Sequence, residues 1–512
     1  MGIWSSGYVA DIAYTHGFYR RMTPAHLRLS ALLCGRAAPI GDALTYAELG
    51  CGQGFGTLLI AAANPAAMVY GFDFNPEQIH HARRLAERAG LVNVVFEEIS
   101  FEELSQRPRG DLPEFDMVAL HGVYSWIGPE AAADIRRFLR TKLKPAGLVY
   151  VSYNAMPGCA AVQPLQRLLR DEAARASGPS DDRAKAALAF AGELAAKGSL
   201  FFKEHPAVAR RLGQHERQSP TYLAHEYLNG HWRPRYVTEI AAELEEAKLG
   251  FVGSARLAEN ELPIAVPAAA AALLEGIDDP LRRELLKDYW ANRPFRADVF
   301  QKGAPRIDGA VERAALRAQR VGLMVAPSKI DGTFKTPAGG FECRPGVLAP
   351  ILERLAEGPA ALGELEGLVG GDIGLNGLRR LIVLLDASDQ LMAAPGEAFD
   401  PRPAARLNRV LAESWTGPYR YVAAPALGGA LEAGAEDLFL LGLLEEGAGA
   451  TLEELVEAGH LRLRGPEGDR TARDGLLRRA ATRFLDEVLP LWRAAGVVAE
   501  NAPQVPRIAA VS

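Results

Sequence analysis

Four cysteines in 512 residues, Cys34, Cys51, Cys159 and Cys343, lie far apart and form no CxxC pair. That scarcity argues against a disulfide framework and a zinc site, so no metal is expected, and it fits a reducing, cytoplasmic setting. No run of about 18 uncharged apolar residues occurs, so no membrane span is expected. Residues 1–10 show neither the basic patch nor the apolar stretch of a secretion signal. Positive charge is not in surplus either. The 57 Lys and Arg against 63 Asp and Glu give a formal charge of −6, which argues against general nucleic-acid binding. What is left is an ordinary globular composition, 48% hydrophobic and 23% charged, in a chain long enough for two to four domains.

The most informative stretch is Glu48-Leu-Gly-Cys-Gly-Gln-Gly-Phe-Gly56. It follows a strand-like segment (43–49) and precedes a helix-like one (55–63). A strand that turns through glycines into a helix brings backbone N–H groups close to a ligand. A dinucleotide fingerprint would need glycine at the sixth position, but that position is Phe55 counted from Gly50 and Thr57 counted from Gly52. A second strand, 68–72, ends at Asp73, 23 residues past Gly50, where a Rossmann-type sheet places the acid that binds ribose hydroxyls. Asn75-Pro76 then reads as a helix N-cap and first turn, with Gly90 as the stop. His80 and His81 on that helix read as a solvated face. Further strands are expected at 93–99, 115–120 and 148–153, with a helix at 129–142 and a turn at 144–147. The segment His121-Gly-Val-Tyr-Ser-Trp126 follows the fourth strand and should face a ligand, because ligands in open α/β sheets sit beyond the carboxyl ends of strands. Residues 160–218 read as charged helices, 236–249 as an amphipathic helix, 250–257 as a sixth strand and 296–301 as a seventh.

Beyond about residue 303, helices alternate with short strand-like pieces at 333–336 and 340–343, a winged-helix-like pattern. Few paired basic residues accompany it, so it reads as a protein-interaction or scaffolding module rather than a DNA reader. Between Arg420 and Arg462 eight acids occur without a single Lys or Arg. They read as a solvated helical face, with an electrostatic guide for a lysine-bearing segment as the sharper alternative.

The glycine motif resembles motif I of the class I S-adenosylmethionine-dependent methyltransferases. The N-terminal Tyr8-x-x-Asp11-x-x-Tyr14-x-x-Gly17-Phe18-Tyr19, the stretches 121–126 and 151–158, and Tyr222-Leu-Ala-His-Glu-Tyr-Leu-Asn229 narrow it further. Together they resemble bacterial methyltransferases with a methyltransferase regulatory domain, among them rickettsial enzymes that methylate lysines of outer-membrane proteins. The resemblance is strongest over 1–305 and architectural beyond. It implies an α/β fold, a Rossmann-like class I methyltransferase core with a helical insertion, followed by mostly α, winged-helix-like C-terminal domains. The expected divisions are 1–158, 159–305, 306–405 and 406–512. The implied cofactor is S-adenosyl-L-methionine, held by Tyr14, Glu48, Gly50, Cys51, Gly52, Gly54, Asp73, Phe74, Ser100, Phe101 and His121. Relatives often carry an acid for the adenine amino group where this chain has Ser100, a departure in which serine can still accept a hydrogen bond and Phe101 could pack on the ring.

If the acceptor is lysine, its ammonium must first lose a proton, and an apolar, aromatic channel helps. Tyr124, Trp126 and Tyr153 are the expected aromatic wall, also suited to cation–π contact with sulfonium and methylammonium groups. Asn154 would orient the amine and His121 could serve as a base. His225 and Glu226 form a second acid/base candidate pair. The expected partner is a lysine-bearing segment of a protein; a homodimer is compatible with the extra regions. A small-molecule methyltransferase and a non-catalytic cofactor-binding regulator are the alternatives.

Overall fold

The computed structural model describes residues 7–12, 15–39, 41–215, 218–370, 373–396, 399–463 and 470–499. Apolar runs long enough to be buried on both faces build its centre, as in parallel sheets covered by helices on both sides. The strands are β1 (Thr45–Leu49), β2 (Met68–Asp73), β3 (Val94–Glu98), β4 (Phe115–Leu120), β5 (Leu143–Asn154), β6 (Leu249–Ser254) and β7 (Phe295–Lys302); β1, β4 and the end of β5 are such buried runs, whereas β3 is largely unburied. They form one seven-stranded sheet in the order β3-β2-β1-β4-β5-β7-β6. The first five run parallel; β7 runs antiparallel to both β5 and β6.

The fifth strand starts at Leu143, earlier than expected, because the turn at 144–147 lies inside it. Phe115 pairs with Leu143 and Met117 with Leu148, so the intervening residues bulge out, with Ala146 at φ +60°.

The sheet is flanked by α1 (Pro24–Leu33), α2 (Phe55–Ala63), α3 (Pro76–Arg88), α4 (Phe101–Gln106) and α5 (Pro129–Lys142). Helix α2 is apolar around nearly its whole circumference, which suits only a helix covered on all sides. Its outer side is covered by the C-terminal region, through helix 402–413 and the hairpin 421–424/429–432. Asn64 Nδ2 donates to Gly428 O at 2.9 Å and Arg406 Nε to Ala89 O at 3.0 Å across this junction. His81 faces it as well, with its Nε2 3.3 Å from His16 Nε2, while His80 is exposed as expected.

Between β5 and β6 the chain forms α6 (Gln163–Ala173), α7 (Ser180–Ala196), α8 (Leu200–Glu204), α9 (Pro206–His215), α10 (Pro220–Tyr227) and α11 (Val237–Glu245). Helices α6, α7, α9 and α10 enclose an apolar core of their own, including Leu165, Leu169, Ala187, Leu212 and Leu223. The N-terminal segment is fastened to it. Val9 N–H donates to Asn229 Oδ1 at 2.8 Å, Gly230 N–H to Gly7 O at 2.7 Å, and Ser180 gives both its N–H and its hydroxyl to the Asp11 carboxylate.

The C-terminal half is mostly helical. Helices 345–356, 362–368 and 374–387 pack with a three-stranded sheet (360–361, 320–323, 391–394), and 333–336 pairs with 339–342 as a hairpin. A buried ion pair, Arg20 with Asp386, ties this unit to the segment before α1. Among the described residues, four of the eight acids between Arg420 and Arg462 are partnered by arginines: Asp437 by Arg483, Glu445 by Arg409, Glu446 by Arg462 and Glu453 by Arg478. The other four, Glu432, Glu436, Glu454 and Glu457, are exposed.

Candidate active site

At the carboxyl end of β1 the chain turns through Gly50, Gly52 and Gly54, all at positive φ (+73°, +55° and +67°). At Gly50 the requirement is double, since an added Cβ would stand 2.7 Å from Val123 Cγ2. The loop is held from β2. Gly50 and Cys51 N–H donate to Phe72 O at 2.8 and 3.1 Å, and Gly52 N–H donates to Asp73 Oδ2 at 2.9 Å. The other oxygen of Asp73 accepts Asn75 N–H at 2.9 Å, and Asn75 in turn caps α3. One carboxylate therefore fixes the loop and the following helix together. Burial pushes Asp73 up, opposed by these N–H groups.

Two cavities lie over this loop. The larger, of about 300 Å³, is lined by Gly50, Gly52, Asp73 and Phe74 on one side, by Ile99, Ser100 and Phe101 below, and by His121, Val123 and Trp126 from the β4 turn. The smaller, of about 50 Å³, reaches from Gly52 and His121 to Glu48, Cys51 and Phe55. Glu48 is buried, accepts the Thr57 hydroxyl at 2.6 Å, and is pushed up to about 7 mainly by loss of solvent. Burial likewise holds the Cys51 thiol well above its ordinary range, so it is an inert wall residue.

His121 stands between the two cavities. Its ring stacks on Tyr19 at 3.5 Å, and its Nδ1 lies 3.1 Å from both Tyr150 Oη and Ser152 Oγ. Burial first, then Arg21 and Arg256, push it down to about 3. A neutral imidazole that holds a proton so poorly makes a weak base at neutral pH, which argues against the base alternative; the ring lines both cavities.

The remaining expected residues divide by position. Trp126 lines the larger cavity and stacks on Trp232 at 6.1 Å. Tyr124 does not line it: it is 2% exposed in the core that includes Ile135, Phe138 and Leu244. Tyr153 points away too, fully buried, with its hydroxyl donating to Asp298 Oδ2 at 2.6 Å beside Arg296. Asn154 ends β5, its N–H bonded to Ser125 Oγ and its carbonyl to Arg235 N–H. Ser100 is spent as the N-cap of α4, exchanging hydrogen bonds with Glu103 in a capping box, while Phe101 lines the cavity. Gly54 serves packing, since its added Cβ would meet Ala82 at 2.6 Å and Phe96 at 2.7 Å. Tyr14 lies outside the described residues.

Of the other lining residues, Tyr8 and Tyr222 had been given no role from the sequence, whereas His225 and Glu226 were expected as a second acid/base pair and do reach the cavity. Tyr8 packs edge-on against Phe74 and reaches the site from the N-terminal segment. Tyr222, His225 and Glu226 reach it from α10. Their i, i+3, i+4 spacing was the available signal, since it puts all three on one helical face.

Order of strands, glycine turn and acid at the end of β2 define a class I methyltransferase fold. Residues 40–198 match a methyltransferase domain and residues 219–302 match the "Predicted methyltransferase regulatory domain". An uncharacterized protein of Synechocystis sp. is 40% identical over 364 residues, 71% of this chain and 71% of that one. An uncharacterized protein of Rickettsia prowazekii is 24% identical over 322 residues, 62% of this chain and 57% of that one. The solved structure of PKMT2 from Rickettsia typhi superposes with a TM-score of 0.68 at 18% identity, covering 92% of this chain and 99% of that one, and it is also known in complex with AdoHcy. That likeness shows the shared fold. The chain belongs to the family of methyltransferases that carry the methyltransferase regulatory domain.

The cofactor is S-adenosylmethionine, and the residues fit it. Left-handed glycines leave the loop backbone bare, the Asp73 carboxylate stands at the cavity wall, and Ile99 and Phe101 offer flat apolar surface for an adenine. Glu48, buried without a cationic partner on its carboxylate among the described residues, suits the cofactor's ammonium. Among the described residues no helix is long and apolar enough to cross a membrane, and no cluster of His, Cys, Asp and Glu could hold a metal ion.

Proposed function

We propose that this chain transfers a methyl group from S-adenosylmethionine to the amine of a lysine side chain on a protein. The observation that carries this reading is the continuation of the cofactor cavity past the glycine loop to an aromatic wall of Tyr8, Trp126 and Tyr222 beneath the helices of the insertion. Such a wall stabilises a neutral amine over an ammonium by desolvation, and it attracts the cationic product by cation–π contact. The resemblance to rickettsial protein-lysine methyltransferases points the same way. In this reading residues 1–158 bind the cofactor, 159–305 cover the acceptor side, and 306–405 and 406–512 scaffold the core and meet the substrate protein.

The cofactor, when bound, supplies an electrophilic methyl on a sulfonium. What the chain contributes is placement and exclusion of water. Asp73 and the glycine loop fix the donor side, neutral His121 fills the space beside it without adding a charge, and Trp126 walls the approach of the acceptor.

The test is transfer of labelled methyl from S-adenosylmethionine in lysate of the source organism, with Asp73→Ala as control. Label in a discrete protein band, mapped to lysine by digestion and mass spectrometry and lost in the variant, is the expected result. Label confined to the small-molecule fraction would overturn the lysine reading.

A further inference from the structure

Helix α10 separates the cofactor cavity from a second cavity of about 290 Å³, lined by Arg210, Arg211 and Gln214 of α9. Two side chains belong to both linings, Tyr222 and Glu226, four residues apart on α10. Glu226 thus stands where a route from the outer cavity meets the cofactor site. Its side chain keeps 17% exposure.

The carboxylate is only loosely spent on its neighbours. Arg211 Nη2 lies 3.7 Å from Glu226 Oε1, beyond hydrogen-bond range, and Arg211 Nε is held elsewhere by the Tyr227 hydroxyl at 3.0 Å. That hydroxyl is itself 2.6 Å from His215 Nε2. The Asn154 side chain lies near enough to Glu226 to lower its carboxyl, which places the carboxylate at the carboxyl end of β5, next to the β4 turn that carries His121. Acceptors in open α/β sheets are met at this end of the strands.

We propose that Glu226 receives the acceptor's ammonium group and takes its proton before methyl transfer, an assignment that rests on the protein-lysine reading above. One N–H bond of the ammonium breaks and the proton passes to a Glu226 oxygen. The freed lone pair forms the N–C bond while the C–S bond breaks and its electron pair stays on sulfur. The products are a methylammonium side chain, S-adenosylhomocysteine and a protonated Glu226, which returns its proton to water through the outer cavity. Asn154 acts as a positioning residue for the carboxylate.

Burial pushes the Glu226 carboxyl up to about 7, with Arg211 and Asn154 pulling against it. The other titratable groups facing it are Tyr8 from the N-terminal segment, Cys159 after β5, and Tyr222 and Tyr227 on its own helix, with His225 alongside. Burial raises Tyr8, Cys159, Tyr222 and Tyr227, so they stay neutral across the range in which Glu226 titrates, and Arg211 is the cation that lowers it.

The probe is n-butylammonium, a lysine side chain without its backbone, with n-butanol as the uncharged control. Each is titrated calorimetrically into the full chain saturated with S-adenosylhomocysteine at pH 6 and pH 8. The ionised fraction of a group at about pH 7 rises roughly tenfold over this range, so butylammonium binds about tenfold tighter at pH 8 while butanol does not change. Glu226→Gln loses both the affinity and the pH dependence. Should that variant fold poorly, Arg211→Met moves the midpoint of the pH dependence upward in a chain that still carries Glu226. Unchanged butylammonium binding in Glu226→Gln, or an unmoved midpoint in Arg211→Met, overturns the assignment. Butylammonium binding that follows Glu226 in a chain whose label is found only on non-amine acceptors overturns the lysine reading and the proton step while leaving an alkylammonium site in place.

Discussion

Substituting Gly50 by alanine tests whether the glycine loop is held by backbone conformation and by close approach together. Alanine at φ +73° costs about 1–2 kcal/mol from the contact of Cβ with the carbonyl oxygen. Its Cβ would also stand 2.7 Å from Val123 Cγ2, at the stiff branch of a β-branched residue, and forced overpacking of this kind costs about 1–3 kcal/mol. The two add to about 2–5 kcal/mol. How that sum divides depends on the ligand-free loop. A loop that stays in place loses stability; one that relaxes away must be pulled back by the ligand, and the loss appears in affinity. Both are therefore measured, by urea unfolding and by calorimetric titration with S-adenosylhomocysteine, and the two losses together should reach at least about 2 kcal/mol. Val123→Ala in the same chain should recover the steric share and leave the φ share, a coupling of about 1–3 kcal/mol. A Gly50→Ala chain within about 0.5 kcal/mol of wild type in both assays, or a double variant no better than the single one, would refute the argument.

Asp73→Asn keeps the shape but offers the Gly52 and Asn75 N–H groups one acceptor instead of two; hydrogen bonds to a charged group are worth about 1.5–3 kcal/mol, so S-adenosylhomocysteine should bind at least about tenfold more weakly by calorimetry. Glu48 is raised by burial from 4.5 to about 7, so its contribution to the stability of the ligand-free chain is complete below about pH 4.5 and lost as pH rises through about 7. Glu48→Gln should remove that loss, which amounts to roughly 3 kcal/mol at pH 8, and identical pH profiles of unfolding in the two chains would disprove it. Arg20→Met strands the carboxylate of Asp386, whose side chain is 2% exposed, and should cost about 3–5 kcal/mol in urea unfolding, with Arg20→Met/Asp386→Leu recovering most of it. Tyr153→Phe removes a buried donor to Asp298 and should lower stability by about 1–3 kcal/mol while S-adenosylhomocysteine affinity stays unchanged; a fall in affinity would put Tyr153 in the site after all.

What the sequence made legible followed from local period and spacing. Buried strands announced themselves as apolar runs, the glycines by their regular alternation, and Asp73 by its distance from Gly50. Part of what went wrong could have been caught by the same means. Tyr153 and Asn154 are neighbours on one strand, and neighbours on a strand point to opposite faces. A wall residue at Tyr153 and an amine-orienting residue at Asn154 could not both face the site: Tyr150 and Ser152 face His121, Asn154 shares their parity, and Tyr153 turns into the ion cluster of Asp298 and Arg296. The capping role of Ser100 was legible as well, since Glu103 three residues later completes a capping box, and that role leaves Ser100 in the cavity lining where it was expected.

The acceptor side was hidden for a different reason. The face of α10 that carries Tyr222, His225 and Glu226 is plain from spacing, but what that face covers is set by how the insertion docks. Docking here depends on contacts such as Val9 with Asn229, 220 residues apart, and Asp11 with Ser180, 169 apart. A polar residue on a helix is a solvated charge or a buried one according to what closes over it, and only the second case moves a carboxyl toward neutral pH. Glu226 could therefore be named from the chain as an acid/base candidate but not placed in the site. Its chemistry comes from the N-terminal segment and the end of β5 meeting over it, so the acceptor side of the pocket is a property of the assembled fold.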